Sequence, residues 1–93
     1  MKKHVSITIH GKVQGVGFRF AAIEKALENE LTGEIKNYQQ DSVQIEVEGE
    51  VDNIQPFLKW CHVGPKDAVV EKVDFVSTDE LQKYETFTAE VTW

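Results

Sequence analysis

Three glycines and one arginine stand close together near the N-terminus, at Gly11, Gly15, Gly17 and Arg19. Glycine adopts the left-handed backbone conformations that let a tight loop turn its main-chain N–H groups inward. Such a loop before a helix also benefits from the partial positive charge at the helix N-terminus, which favours a bound anion. Arg19 would add a permanently charged planar group that can bind two oxygens of one phosphate. The segment therefore predicts a phosphoryl-binding site.

Two common nucleotide-binding motifs do not fit this segment. A Walker A loop that starts at Gly11 would need Gly and Lys where the chain has Val16 and Gly17. A dinucleotide-binding loop would need a third glycine at the position of Phe20. On loop composition alone, an anion site and an ordinary tight turn remain equally open.

The elements that must position this loop follow from the spacing of apolar residues. Residues 3–10 alternate as in a half-buried strand. One face would carry Val5, Ile7 and Ile9, and the other, facing water, would carry His4, Ser6, Thr8 and His10. After the loop, helical spacing predicts a helix from Phe18 to Glu30 that ends before Gly33. Its apolar stripe would be Ile23, Ala26, Leu27 and Leu31.

The second half of the chain predicts a hairpin, a helix and two strands. The hairpin strands would carry Ile35 and Asn37, then Val43, Ile45 and Val47, with a turn at 39–42. Asp52 and Gln55 indicate a capping box, so Pro56 would lie in the first turn of the second helix. That helix would bury Ile54, Phe57, Leu58 and Cys61 and would stop at Gly64 and Pro65. A strand over 69–76 with one irregular position follows, and Phe87, Ala89, Val91 and Trp93 alternate on the last strand.

The order β, α, β, β, α, β, β predicts an α+β, ferredoxin-like split βαβ sandwich. Two helices would cover one face of an antiparallel sheet of four or five strands. With 93 residues, we expect one domain, 1–93. The net charge of −6 argues against nucleic-acid or anionic-membrane partners, because binding phosphates needs a basic surface. One cysteine and no apolar leader favour the cytoplasm, and we expect a monomer.

The segment 11–19 closely resembles the signature of the acylphosphatase family. Weaker similarity covers essentially the whole chain, at 31–33, 36–37, Val43, 48–49, 57–65 and Phe87. The resemblance implies a ferredoxin-like fold, a small acyl phosphate substrate and no metal or cofactor. It implies that Arg19 binds the phosphate and Asn37 orients the attacking water. The main-chain N–H groups that would surround the phosphoryl oxygens are those of Gln14, Gly15, Val16, Gly17, Phe18 and Arg19.

This implied reaction needs few chemical groups. An acyl phosphate releases a carboxylate, a weak base that departs without a proton, so positioning and charge neutralisation suffice. Asn37 has the strand parity of Ile35, which places it on the helix-bearing face. If its strand lies beside the first strand, Asn37 can reach the space above the loop.

Three positions depart from the family pattern. Glu34 replaces an aromatic residue and is expected to face solvent. Asp41 replaces the glycine of the hairpin turn, where its tolerance of positive φ would preserve the turn. Tyr38, directly after Asn37, would influence which acyl groups fit.

The remaining chemical side chains are expected to be structural. His4, His10 and His62 are predicted on the surface, and Cys61 is predicted to be a buried apolar residue. Ser42 and Thr8 have no evident base beside them in the sequence. We expect a solvated face from the acidic residues Glu46, Glu48, Glu50 and Asp52. We expect Trp60 and Trp93 to be packing residues.

Three other functions stay open. A non-catalytic phosphate-binding or interaction module would keep the loop without turnover. A ferredoxin-like RNA-binding domain would need exposed aromatic and basic residues on the open sheet face. A fragment of a larger carbamoyl-phosphate-processing maturation factor would continue into cysteine-rich zinc modules, whereas this sequence has one cysteine.

Overall fold

The computed structural model describes residues 1–89. The elements, in chain order, are β1 (Lys2–Lys12), α1 (Phe18–Glu28), β2 (Thr32–Tyr38), β3 (Ser42–Glu50), α2 (Val51–Cys61), β4 (Val69–Thr78) and β5 (Phe87–Ala89). The predicted order of strands and helices is confirmed. Val91 and Trp93, which were expected to extend the last strand, lie outside the described residues.

The strands form one five-stranded sheet in the order β4-β1-β3-β2-β5. Neighbouring strands from β4 through β2 pair antiparallel, but β5 pairs parallel with β2. The ferredoxin-like α+β fold is confirmed, and the sheet is mixed rather than antiparallel throughout. The segment 79–86 carries the chain from β4, at one edge, to β5 at the other edge, beside β2. Because β2 already runs opposite to β4, reversing the chain direction between β4 and β5 makes β5 parallel to β2.

One face of the sheet carries the core. Val5, Ile7 and Ile9 of β1 are buried, as the alternation predicted, together with Val43, Ile45 and Val47 of β3. Helix α1 contacts β2 and β5, whereas α2 contacts β1 and β3. This division places the start of α1 above the β2 side of the sheet, two strands away from β1.

Helix α1 is shorter and turned differently than predicted. It ends at Glu28 and buries Phe18, Ala22 and Ala26. Leu27, which was assigned to the apolar stripe, is 52% exposed. Residues four apart share one helix face, so Leu27 is rotated about 100° from the row that contains Ala26.

Helix α2 begins differently from the predicted capping box. Its first residue is Val51, its N-cap is Glu50, and no side chain caps it. The main-chain N–H of Val51 instead donates to the carbonyl oxygen of Met1 at 3.1 Å. Pro56 consequently lies in the second turn rather than the first. The buried stripe of Ile54, Phe57 and Cys61 is confirmed.

Two finer features of the prediction are confirmed. His10 pairs with Lys72 and Gly11 with Val70, so Glu71 is an extra residue in β4 and forms the irregular position. Trp60 is a packing residue, since its ring centroid lies 5.3 Å from that of Phe18 and 6.0 Å from that of Phe57.

The face of the sheet that lies away from the helices is partly covered. His4 is 3% exposed and Glu48 is 4% exposed, so their expected surface positions were wrong. The main-chain N–H groups of Gln82 and Lys83 donate to the Glu48 carboxylate. These bonds hold the segment 79–86 over one end of the face.

Candidate active site

The loop between β1 and α1 depends on the backbone freedom of two glycines. Gly15 and Gly17 have φ of 72° and 77°. A Cβ atom on either glycine would meet nothing within 4 Å. The requirement for glycine is therefore conformational, because residues with a Cβ are strained in this left-handed region.

These conformations leave polar main-chain groups at the start of α1 available to a ligand. Gly17 is the N-cap of α1, where no side chain forms a capping hydrogen bond and no acidic residue lies in the first turn. Among the hydrogen bonds of residues 1–89, none uses the main-chain N–H groups of Gly15, Val16 or Gly17. N–H groups at a helix N-terminus attract anions through their dipoles.

The loop and β2 enclose a pocket of about 220 Å³. Within residues 1–89, the residues that line it are Val13, Gly15, Gly17, Phe18, Arg19, Phe20 and Asn37. Val13 and Phe18 are buried and form its floor, whereas Phe20 is 83% exposed at its mouth. The pocket therefore combines a cation, a carboxamide and a turn of main-chain N–H groups on an apolar base.

Asn37 reaches this pocket by a route that differs from the expected one. Its strand, β2, does not lie beside β1, because β3 lies between them and pairs with both. The chain must therefore cross the end of β3 to pass from β1 to α1, which packs over β2 and β5. That crossing brings the loop over Asn37.

Gln14 has a contact that the sequence analysis did not anticipate. Its side-chain amide donates to the main-chain oxygens of Gln39 at 2.9 Å and Ser42 at 2.7 Å. The Gly11 N–H donates to the oxygen of Asp41 at 3.0 Å. These bonds fasten the loop to the hairpin turn that follows Asn37. Val16, the other loop residue outside the pocket lining, packs against the core.

The three positions that depart from the family pattern, Glu34, Tyr38 and Asp41, all lie outside the pocket lining. Gln39 has φ of 57°, and Asp41 does not have positive φ, so the explanation based on Asp41 was wrong. Tyr38 is not among the residues that line the pocket. Glu34 lies opposite Glu46 on the neighbouring strand and is half-buried.

Ser42 and His10 are closer than the sequence indicated. The Ser42 hydroxyl lies 3.0 Å from His10 Nδ1, and His10 Nε2 lies 3.3 Å from an oxygen of Asp74. Ser42 therefore does have a base beside it. Its hydroxyl is not open to a substrate, however, because Ser42 is only 3% exposed. His10 is half-buried rather than on the surface, whereas His62 is exposed as predicted.

Cys61 is buried, as predicted, and burial raises the pKa of its thiol. A buried thiol with a raised pKa is a poor nucleophile. No group of three or more His, Cys, Asp and Glu side chains within residues 1–89 is arranged to hold a metal ion. No helix in the same range is long and apolar enough to cross a membrane.

The fold and pocket define an α+β protein of ferredoxin-like topology with a polar pocket where its first loop meets α1. The acylphosphatase family model matches residues 5–89. An acylphosphatase from Salinibacter ruber is 38% identical over 86 residues, which cover 92% of this chain and 90% of the relative. The chain therefore belongs to the acylphosphatase family, and this membership supports a hydrolase activity on a small-molecule substrate.

Solved structures agree with the family assignment. The crystal structure of acylphosphatase from Bacillus subtilis superimposes with a TM-score of 0.93 at 27% identity, covering 96% of this chain and 99% of that one. An acylphosphatase from Coxiella burnetii gives a TM-score of 0.91 at 34% identity, with 96% and 93% coverage. The ferredoxin-like fold therefore extends over nearly the whole of both proteins.

Proposed function

We propose that this pocket hydrolyses small acyl phosphates to a carboxylate and inorganic phosphate. In this proposal Arg19 and the main-chain N–H groups of 14–19 bind the phosphoryl group, and Asn37 orients the attacking water. One observation carries the proposal: Arg19, Asn37 and the glycine loop line a single pocket.

Arg19 has the chemistry required to bind the phosphoryl group. The protein has a net charge of −6, so an anionic substrate must be attracted by local groups. A guanidinium can donate two parallel hydrogen bonds to phosphate oxygens, and its position in the first turn of α1 adds it to the positive end of the helix. A bound anion would offset the unfavourable interaction between this guanidinium and the positive end of the helix dipole.

Asn37 would act on the water rather than on the phosphate. Its carboxamide oxygen accepts a hydrogen bond from water, which leaves a water lone pair directed at phosphorus. As the new oxygen–phosphorus bond forms, the bond from phosphorus to the acyl oxygen breaks and the carboxylate departs with the electron pair. The water proton moves to a phosphate oxygen of the substrate, so no separate general base is needed.

The proposed reaction uses neither a metal ion nor a cofactor. The departing carboxylate is a weak base and needs no Lewis acid to stabilise it. An arginine together with fixed N–H dipoles can stabilise the charge on the transferring phosphoryl group as well as a metal ion can. Arg19 and the start of α1 supply both.

We also propose a cellular setting for this reaction. In this proposal the protein is a monomer of one domain, 1–93, that acts on a free small molecule, and Arg19, Asn37 and the loop glycines that line the pocket lie within that domain. A lone buried cysteine and a negative net charge support a cytoplasmic protein without nucleic-acid partners.

Two variants separate the proposed roles. We expect Arg19→Ala to abolish turnover of benzoyl phosphate and to weaken inorganic phosphate binding strongly. Asn37→Ala should lower kcat by about two orders of magnitude, the loss typical of one removed polar group in an active site. It should leave the phosphate Kd within a few-fold of the original. Lys36→Ala is a matched control, because Lys36 precedes Asn37 on β2 but does not line the pocket.

Equal loss of phosphate affinity in both variants would contradict this division of roles. An unmodified protein that turns over neither benzoyl nor acetyl phosphate, yet melts at a higher temperature with phosphate, would instead support a non-catalytic phosphate-binding module.

A further inference from the structure

Phe20 is a large aromatic residue that the core does not use. It is the third residue of α1 and is 83% exposed, whereas the buried row of that helix is Phe18, Ala22 and Ala26. Two residues along a helix correspond to a rotation of about 200°, so Phe20 projects away from the sheet. It nevertheless lines the pocket that contains Arg19 and Asn37. Its position is therefore not explained by packing of the fold.

The geometry of the pocket dictates where an acyl group must lie. Val13 and Phe18 close the pocket from below, since both are buried in the core. The loop glycines and Arg19 surround the space where the proposed phosphoryl group would be held. The acyl group would therefore extend toward the open side of the pocket, where Phe20 gives the largest exposed apolar surface among the described lining residues.

We propose that Phe20 contacts the acyl group and makes the enzyme prefer acyl phosphates with flat, apolar acyl groups over small ones. The proposal rests on the function proposed above and adds a substrate class to it. An aromatic ring in the acyl group can stack on the exposed phenyl ring, which removes apolar surface of both from water. An acetyl group offers little surface for that contact.

The test compares kcat/KM for benzoyl phosphate with kcat/KM for acetyl phosphate. In the unmodified protein we expect the ratio to favour benzoyl phosphate. In Phe20→Ala the ratio should fall by about three- to tenfold, the range expected for loss of one aromatic contact. Phe20→Trp, which restores an aromatic surface, should keep the preference. Leu27→Ala is the matched control, because Leu27 is an exposed apolar residue of α1 that does not line the pocket.

Other results would overturn either the role of Phe20 or the proposed function. A ratio that is unchanged in Phe20→Ala overturns the role of Phe20 while leaving the proposed function intact. An equal fall for both substrates also overturns it, because Phe20 would then shape the phosphate site rather than contact the acyl group. Failure of the unmodified protein to hydrolyse either substrate overturns the proposed function instead. Thermal melting of each variant confirms folding, which an exposed residue should not disturb.

Discussion

Replacing His4 by glutamine should destabilise the protein strongly, although His4 is far from the proposed site. His4 is almost fully buried, and its Nδ1 and Nε2 each lie 2.6 Å from a carboxylate oxygen, of Glu48 and Glu46 respectively. Carboxylates accept hydrogen bonds, so both ring nitrogens donate and the ring is an imidazolium. Glutamine would keep one polar contact but would remove the charge that compensates the buried Glu48.

The expected cost follows from the surroundings of the two carboxylates. Removing one partner of a buried ion pair typically costs about 3 to 5 kcal/mol. Glu48 would keep the N–H groups of Gln82 and Lys83, and the Glu46 side chain is partly open to water. We therefore expect the lower end, about 3 kcal/mol. For a domain of this size the melting temperature would fall by roughly 12 to 24 °C.

Urea unfolding at pH 6, followed by circular dichroism, measures this loss directly. His10→Gln is a matched control from the same strand, because His10 is half-buried, its contact to Asp74 is with an exposed carboxylate, and its other partner is the neutral hydroxyl of Ser42. We expect the control to lose less than about 1 kcal/mol. A loss below about 1 kcal/mol in His4→Gln would refute the reasoning that the buried cluster depends on a charged imidazolium.

The same cluster predicts how stability changes with pH. Burial by itself lowers the pKa of His4, but the Glu48 and Glu46 carboxylates outweigh it and raise the pKa above the ordinary 6.5. Burial likewise opposes ionisation of Glu48, but the N–H of Gln82 and the His4 ring outweigh it and lower the pKa below the ordinary 4.5. Tyr84, stacked on His4, has its pKa raised by burial first and then by nearby carboxylates, so it stays neutral.

The direction of the pH effect follows from these two shifts. The His4 contribution is complete below pH 6.5 and is lost as pH rises through its raised pKa. The Glu48 contribution is complete above pH 4.5 and is lost as pH falls through its lowered pKa. Unfolding free energy measured from pH 4 to pH 9 should therefore be highest between about pH 4.5 and 6.5. A decline in unfolding free energy above pH 6.5 that persists unchanged in His4→Gln would contradict this assignment.

Three further predictions concern the loop and the cysteine. Gly17→Ala should cost about 1 to 2 kcal/mol in urea unfolding, since alanine is strained at φ of 77°, and it should weaken phosphate binding; an unchanged phosphate titration would count against the loop. Gln14→Ala should lower kcat/KM for benzoyl phosphate, because the loop loses its bonds to Gln39 and Ser42; unaltered kinetics would show that this tether is dispensable. Cys61 should react with a thiol reagent only after unfolding, and rapid labelling of the native protein would contradict its burial.

The parts of the fold that depend on local pattern could be predicted from the sequence. The alternation in β1 and the glycines before α1 fix which residues face the core and where the chain turns. Leu27 was wrongly assigned to the buried face of α1, because apolar residues occur on both the Ala26 side and the Leu27 side of the helix. Only the burial of Ala22 and Ala26 in the folded protein decides which side faces the sheet. The resemblance in segment 11–19 pointed to the family that the comparisons then showed.

The burial of His4 could not be predicted because it depends on a distant segment without apolar periodicity. Residues 79–86 are mostly polar, and they cover His4 through hydrogen bonds from their main chain to Glu48. The tether of Gln14 was missed for the same reason, since its partners are main-chain oxygens in the hairpin turn. Contacts to backbone atoms leave no signature in residue types.

Hydrolysis of benzoyl phosphate in the presence of EDTA, compared between the unmodified protein and Arg19→Ala, tests the central proposal most directly. The proposal predicts steady release of benzoate and phosphate by the unmodified protein in EDTA. It predicts no turnover above background by Arg19→Ala at equal concentration and with its folding confirmed. Turnover that requires added magnesium, or an Arg19→Ala variant as active as the unmodified protein, would contradict it.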